Sequence, residues 1–202
     1  MPSKPLTFWE GVKEIDRFFA GRDAVHKTMR RIVKRLEKAN IPYAVVGGMA
    51  VYAHGYRRTT DDLDLLLTPA GFEEFKRLFV PKKYELHARL SRRFTDRAND
   101  VTVDILVTGL FPGSGKPGPI SYPDPAAVNE TIKKIRVVDL VTLIQMKLPA
   151  RRYQDFADVV NMIRFNDLEE SFAERLHPSV RRDYIECLDE KRRDDEYLAR
   201  NG

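Results

Sequence analysis

Carboxylates set inside apolar, strand-like runs constrain this chain more than any other feature. In the segment DDLDLLL (61–67), Leu63, Leu65, Leu66 and Leu67 form a short apolar run that closes at Thr68-Pro69, and Asp62 and Asp64 interrupt it. Residues two apart on a strand project from the same face, so Asp62 and Asp64 share one side and Asp61 falls on the other. A second run, VTVDILV (101–107), alternates Val101, Val103, Ile105 and Val107 and carries Asp104 in its middle. Carboxylates are costly to bury without a counter-charge. Paired side by side, these two runs would bring three like charges together, which a divalent cation resolves. Mg²⁺, or Mn²⁺ in its place, is held by a few carboxylates, water and substrate phosphates, and such a site suits phosphoryl or nucleotidyl transfer.

The rest of the chain supplies the frame. Thr7 and Glu10 form a capping-box pattern for a helix through about residue 20, and Asp23 caps a second, whose Val25, Met29, Ile32, Val33 and Leu36 keep helical spacing. Residues 43–46 read as a buried strand that stops at Gly47-Gly48, with one or two helical turns over 49–54 ended by Gly55. Further helices are expected over 71–80, from Asp139 to Pro149, over 152–164 and from Pro178 onward. Strands are expected over 84–90 and 132–138. Residues 109–125, rich in Gly and Pro, read as a long loop. Its GSGKP is not a phosphate-binding P-loop, because Leu110 and Pro117 stand where glycine and Ser or Thr are needed. The alternation of strands and helices between 43 and 138 argues an α/β core with helices before and after it. The length of 202 residues suits one domain with an appendage, divided here as a core over 1–138 and a helical region over 139–202.

Composition narrows the function classes. One cysteine, Cys187, excludes an internal disulfide and a thiolate metal cluster, and reads as a buried thiol. The opening stretch MPSKPLTFWEGVKEIDRFF is broken by charge where a signal peptide would be apolar, and no run is long enough to span a membrane, so a cytoplasmic address is expected. The formal net charge of +5 is compatible with a polyanionic partner. Its clusters are a basic face of Lys27, Arg30, Arg31, Lys34, Arg35 and Lys38 and a run of Arg89, Arg92, Arg93 and Arg97. Runs of this kind are ordinarily solvated faces. Tyr153 and Phe156 read as core, His54 as a packed or exposed histidine in preference to one that orients a phosphate, and Arg151 or Arg152 as partners for Asp155.

With Gly-Gly between a strand and a helix, then Arg58, Thr60 and the Asp-x-Asp pair, VGGMAVYAHGYRRTTDDLDLLL resembles the signature of the nucleotidyltransferase superfamily, the polymerase-β-like fold. Within it, the pattern is most similar to the AbiEii-like toxins of type IV abortive-infection toxin–antitoxin pairs, and KLPARRYQDFADV resembles a second block of that subset. The resemblance spans about residues 41–164. It implies a small mixed β-sheet carrying the acidic residues, flanked by N-terminal helices and a C-terminal helical part. It also implies transfer of NMP from an NTP to a hydroxyl acceptor, with Asp62, Asp64 and Asp104 as metal ligands and Asp104 activating the acceptor. Gly47, Gly48, Arg58, Thr60 and Lys147 would meet the nucleotide, with Asp155 and Asp158 beside the same pocket. Gly48 replaces the serine that many members carry. The acceptor stays open between an RNA or tRNA 3′ end and a small hydroxylated molecule such as an aminoglycoside. An antitoxin protein is an implied partner, and a non-catalytic nucleotide-binding module is the competing class.

Overall fold

The computed structural model describes residues 7–88 and 90–201; Arg89 and the first six residues of the opening stretch, read above for charge, lie outside the described residues. Helix α1 (Phe8–Phe19) begins at the Thr7 capping box and α2 (Ala24–Lys38) at the Asp23 side chain, which accepts from the Val25 and His26 amides. Strand β1 (Tyr43–Val46) runs straight into α3 (Gly47–Ala53), and β2 (Asp62–Leu67) leads to α4 (Pro69–Phe79), capped by Thr68 with proline in its first turn.

Three departures from the sequence reading follow. The expected strand over 84–90 ends early, as β3 (Tyr84–Leu86), and a separate strand, β4 (Arg93–Asp96), precedes β5 (Val101–Val107). The expected strand over 132–138 is a hairpin of β6 (Asn129–Ile132) and β7 (Ile135–Val138), turned by Lys133 and Lys134, both with positive φ. Two lysines are poor turn formers, so composition hid this turn. The helices α5 (Leu140–Lys147), α6 (Tyr153–Phe165) and α7 (Pro178–Asn201) follow as expected, α5 capped by Asp139.

The strands form one mixed sheet in the order β3-β4-β5-β2-β1-β7-β6. Strands β2 and β5, both almost wholly apolar apart from their aspartates, pair in parallel at its centre, and β1 and β4 flank them antiparallel. Register then sorts the side chains. Leu63, Val103 and Phe94 lie on one face, where α2 and α4 cover them; Phe94 packs edge-on against Phe72 and Phe75. Asp64, Asp104 and Arg93 lie in a row on the other face. The aspartates therefore survive in central strands because their face opens on a cleft while the leucine and valine face seals the core. Among the described residues, no helix is long and apolar enough to cross a membrane.

Candidate active site

Asp64 stands directly opposite Asp104 in the β2–β5 ladder, and Asp62 follows Asp64 on the same face. One oxygen from each of the three lies within 4.8 Å of the others, and all three side chains are half-buried. The Thr60 hydroxyl donates to Asp62 Oδ1 at 2.7 Å. Arg93 donates from Nε and Nη2 to the two Asp104 oxygens, each at 2.7 Å. Asp64 accepts no side-chain hydrogen bond from the described residues. Burial first, then the charges of Asp62 and Asp104, push its carboxyl up to about 7, with Lys147 and Arg152 partly offsetting them. Such a trio has the donor set that suits a hard divalent cation, and two of its three carboxylates, Asp62 and Asp64, form no ion pair with the described residues.

Gly47 is what allows Asp64 its place. Its φ is +61°, and a Cβ there would sit 1.8 Å from Asp64 Oδ2 and 2.8 Å from Asp64 Cβ. At Gly48 a Cβ would stand 2.7 Å from the Thr60 hydroxyl that supports Asp62. The pair of glycines thus lets the β1–α3 turn press against Asp64 and against the Thr60 side chain that supports Asp62. Gly47, Asp64 and Asp104 form the floor of a cleft of about 750 Å³. Arg92 and Arg93 line one wall, Lys147, Arg152 and Asp155 another, and Tyr122 with the loop at Phe111–Gly115 a third.

Behind the floor lies a buried ion network. Arg58 grips Asp158 with Nε and Nη2 at 2.6 and 2.8 Å, and Lys147 Nζ lies 2.7 Å from Asp158 Oδ2 and 2.9 Å from Asp155 Oδ1. Arg152 Nε closes the chain on Asp155 at 2.6 Å. Burial alone would raise the Asp158 carboxyl, but the bonds from Arg58 and the charge of Lys147 outweigh it and hold it below the usual carboxylate range. Lys147 and Asp155 reach the cleft, whereas Arg58 and Asp158 are absent from its lining.

His54 is packed, its Nε2 2.8 Å from the Val138 carbonyl. Tyr153 corrects the sequence reading: it is 98% exposed, because it opens α6 on the solvent side, while Phe156 is half-buried against the core. Cys187 is buried, and that burial pushes its thiol up to about 12. The charged part of α7 is solvated and laced with ion pairs such as Lys191–Asp195. The basic face of α2 is only partly free, since Arg31 binds buried Asp96 and Arg35 donates to Tyr84. Pairing of Asp104 with an arginine is the alternative the sequence offers to a metal site there, and the structure shows that arginine to be Arg93. The four residues of β4, Arg93 to Asp96, hold a single apolar side chain, so hydrophobic alternation gives no strand signal there. The cleft-lining role of Tyr122 and the 111–115 loop had no sequence signal.

No protein-family model matches this chain, and no curated protein matches its sequence. Solved structures do. ANT(2″)-Ia, in complex with adenylyl-2″-tobramycin, superposes with a TM-score of 0.52 at 14% identity, over 79% of this chain and 96% of that one. An antigenic nucleotidyltransferase-like protein from Paracoccidioides brasiliensis superposes with a TM-score of 0.51 at 15% identity, over 83% and 88%. A sheet that sets three aspartates on adjacent parallel strands beside a glycine turn is thus the nucleotidyltransferase fold.

Proposed function

We propose that this chain is a divalent-metal-dependent nucleotidyltransferase that moves NMP from an NTP to a hydroxyl acceptor and releases pyrophosphate. The observation that carries the reading is the carboxylate trio, three oxygens within 4.8 Å, two of whose members, Asp64 and Asp104, lie on the floor of an open cleft, with Asp64 unpartnered among the described residues. Asp62, Asp64 and Asp104 would hold Mg²⁺ or Mn²⁺, which when bound supplies neutralisation of triphosphate charge and acidity to the attacking hydroxyl. Thr60 fixes the Asp62 rotamer. Asp104 would take the acceptor proton. Gly47 and Gly48 would offer the backbone amides of the turn to the phosphates, and Lys147, tied to Asp155 and Asp158, offers a fixed positive charge at the cleft wall. Arg58 acts one step back, holding Asp158 and through it Lys147.

For the acceptor, Arg92 and Arg152 along the cleft suit an anionic molecule, so an RNA or tRNA 3′ end is the reading we adopt, in line with the toxin-like sequence pattern. On that pattern an antitoxin protein would be its partner and the cytoplasm its location. A small aminoglycoside-like acceptor is the second reading, favoured by the tobramycin adduct held by the structural neighbour.

The test is incubation with each labelled NTP, Mg²⁺ and either total RNA or tobramycin, repeated with Asp62→Ala and Asp64→Ala. Label in tRNA-sized bands with the parent chain alone supports the first reading, and labelled tobramycin the second. Nucleotide binding without pyrophosphate release in either arm refutes transferase activity and leaves a nucleotide-binding module.

A further inference from the structure

Of the three clustered carboxylates, Asp104 alone is already held by a cation. Arg93 faces it across the β4–β5 ladder and forks onto both of its oxygens, while its own side chain is 42% exposed along the cleft. Asp62 has only the neutral Thr60 hydroxyl. Each carboxylate oxygen carries two lone pairs, so the fork leaves the cluster side of Asp104 open. A guanidinium on one side and a divalent cation on the other would then draw on a single carboxylate. Two cations sharing one anion oppose each other, and the opposition is reciprocal.

Arg93 could instead act as a support that aims Asp104 at the metal, which would give the opposite sign. The structure favours opposition. Asp104 sits mid-strand between β2 and β4, so ladder register already aims it at Asp64 without help from a side chain. Arg93 is not packed away, and its exposed wall faces the space a triphosphate would fill.

We propose that Arg93 is a latch on Asp104, displaced by the divalent cation and exchanged onto the incoming triphosphate. This rests on the nucleotidyl-transfer reading. The test follows binding of Mn²⁺ alone, by the electron paramagnetic resonance of the free ion, and then binding of α,β-imido NTPs at saturating Mn²⁺. The chains compared are the parent, Arg93→Gln, Arg93→Lys, Asp62→Asn and Arg93→Gln/Asp104→Asn.

Arg93→Gln is expected to bind Mn²⁺ about twofold to fivefold tighter than the parent, and the imido nucleotide more weakly by a similar factor. The gain in Mn²⁺ affinity should vanish in the Asp104→Asn background. Arg93→Lys should show smaller changes of the same signs, because an ammonium cannot fork. Mn²⁺ affinity that is unchanged or weaker in Arg93→Gln overturns the latch, and so does unchanged nucleotide affinity. If the parent binds Mn²⁺ and Asp62→Asn abolishes it, such a result leaves the metal-site reading standing. If neither the parent nor Arg93→Gln binds Mn²⁺, or binding survives Asp62→Asn, both fall together.

Discussion

Replacing Gly47 with alanine separates the two demands this position meets. The first is backbone conformation: at φ +61° a Cβ costs about 1–2 kcal/mol. The second is space. Ordinary Cβ contacts begin near 3.4 Å, and the new Cβ would stand 1.8 Å from Asp64 Oδ2, 2.6 Å from its Cγ and 2.8 Å from its Cβ. A rotamer change moves the carboxylate away but leaves the Cβ–Cβ clash, so the β1–β2 pair must open where Val46 faces Asp64. Overpacking of this kind costs about 1–3 kcal/mol. Gly47→Ala should therefore lose about 2–5 kcal/mol, which in a chain of this size lowers Tm by about 4–20 °C. Because the strain falls on Asp64, a displacement of about 1 Å should reduce transfer about 100-fold and weaken Mn²⁺ binding alongside. Gly21→Ala is the control, with φ +66° but its nearest neighbour at an ordinary 3.7 Å, so it isolates the backbone cost. Urea melts and Mn²⁺ titrations of both variants measure the difference. A Gly47→Ala chain that loses no more stability than Gly21→Ala and keeps parental Mn²⁺ affinity would refute the reasoning.

Other perturbations probe the remaining parts. With the Asp64 carboxyl raised to about 7 in the fold, the folded chain retains a proton that the unfolded chain has already released, so this group favours folding at low pH and loses that contribution as pH climbs through 7. Metal-free urea melts at pH 5 and 8 should show that slope, Asp64→Asn should flatten it, and Mg²⁺ should raise stability at pH 8 more than at pH 5; equal slopes in parent and variant defeat the assignment. Asp158→Ala strands Arg58 and Lys147 without their shared partner, and should cost about 3–5 kcal/mol in a urea melt, against less than about 1 kcal/mol for the exposed pair partner Asp195→Ala. Asp104→Asn should keep imido-nucleotide binding within a few-fold of the parent while lowering the transfer rate about 10²–10⁴-fold; a rate within tenfold of the parent removes Asp104 from proton handling.

How far the sequence foretold these features depended on the range of the interaction involved. Asp62 and Asp64 were legible because strand parity is a local rule, and Asp104 because a charge in the middle of an alternating apolar run has few explanations. Their juxtaposition needed one further step, the parallel pairing of β2 with β5, which puts Asp64 opposite Asp104. Gly47 and Gly48 were legible as a turn but not as the reason Asp64 and Thr60 fit, since that depends on atoms twelve and seventeen residues away. The hairpin at Lys133-Lys134 and the short strand β4 escaped because their stability comes from neighbouring strands, not from their own residues.

The network around Lys147 shows how a short motif can conceal a long-range constraint. Local spacing pairs Arg152 with Asp155 three residues on, and that much was readable. The decisive contact is Arg58 on Asp158, across 100 residues of chain. It ties the segment just before β2 to α6, and so fixes α6 relative to the strand that carries Asp62 and Asp64. A lysine and two aspartates that look like ligands in sequence thus also set the distance between cleft wall and cleft floor. A substitution at Asp158 should then disturb the carboxylate trio without touching it, and activity should fall in proportion to the loss of order in α6, not to any loss of charge at the metal site.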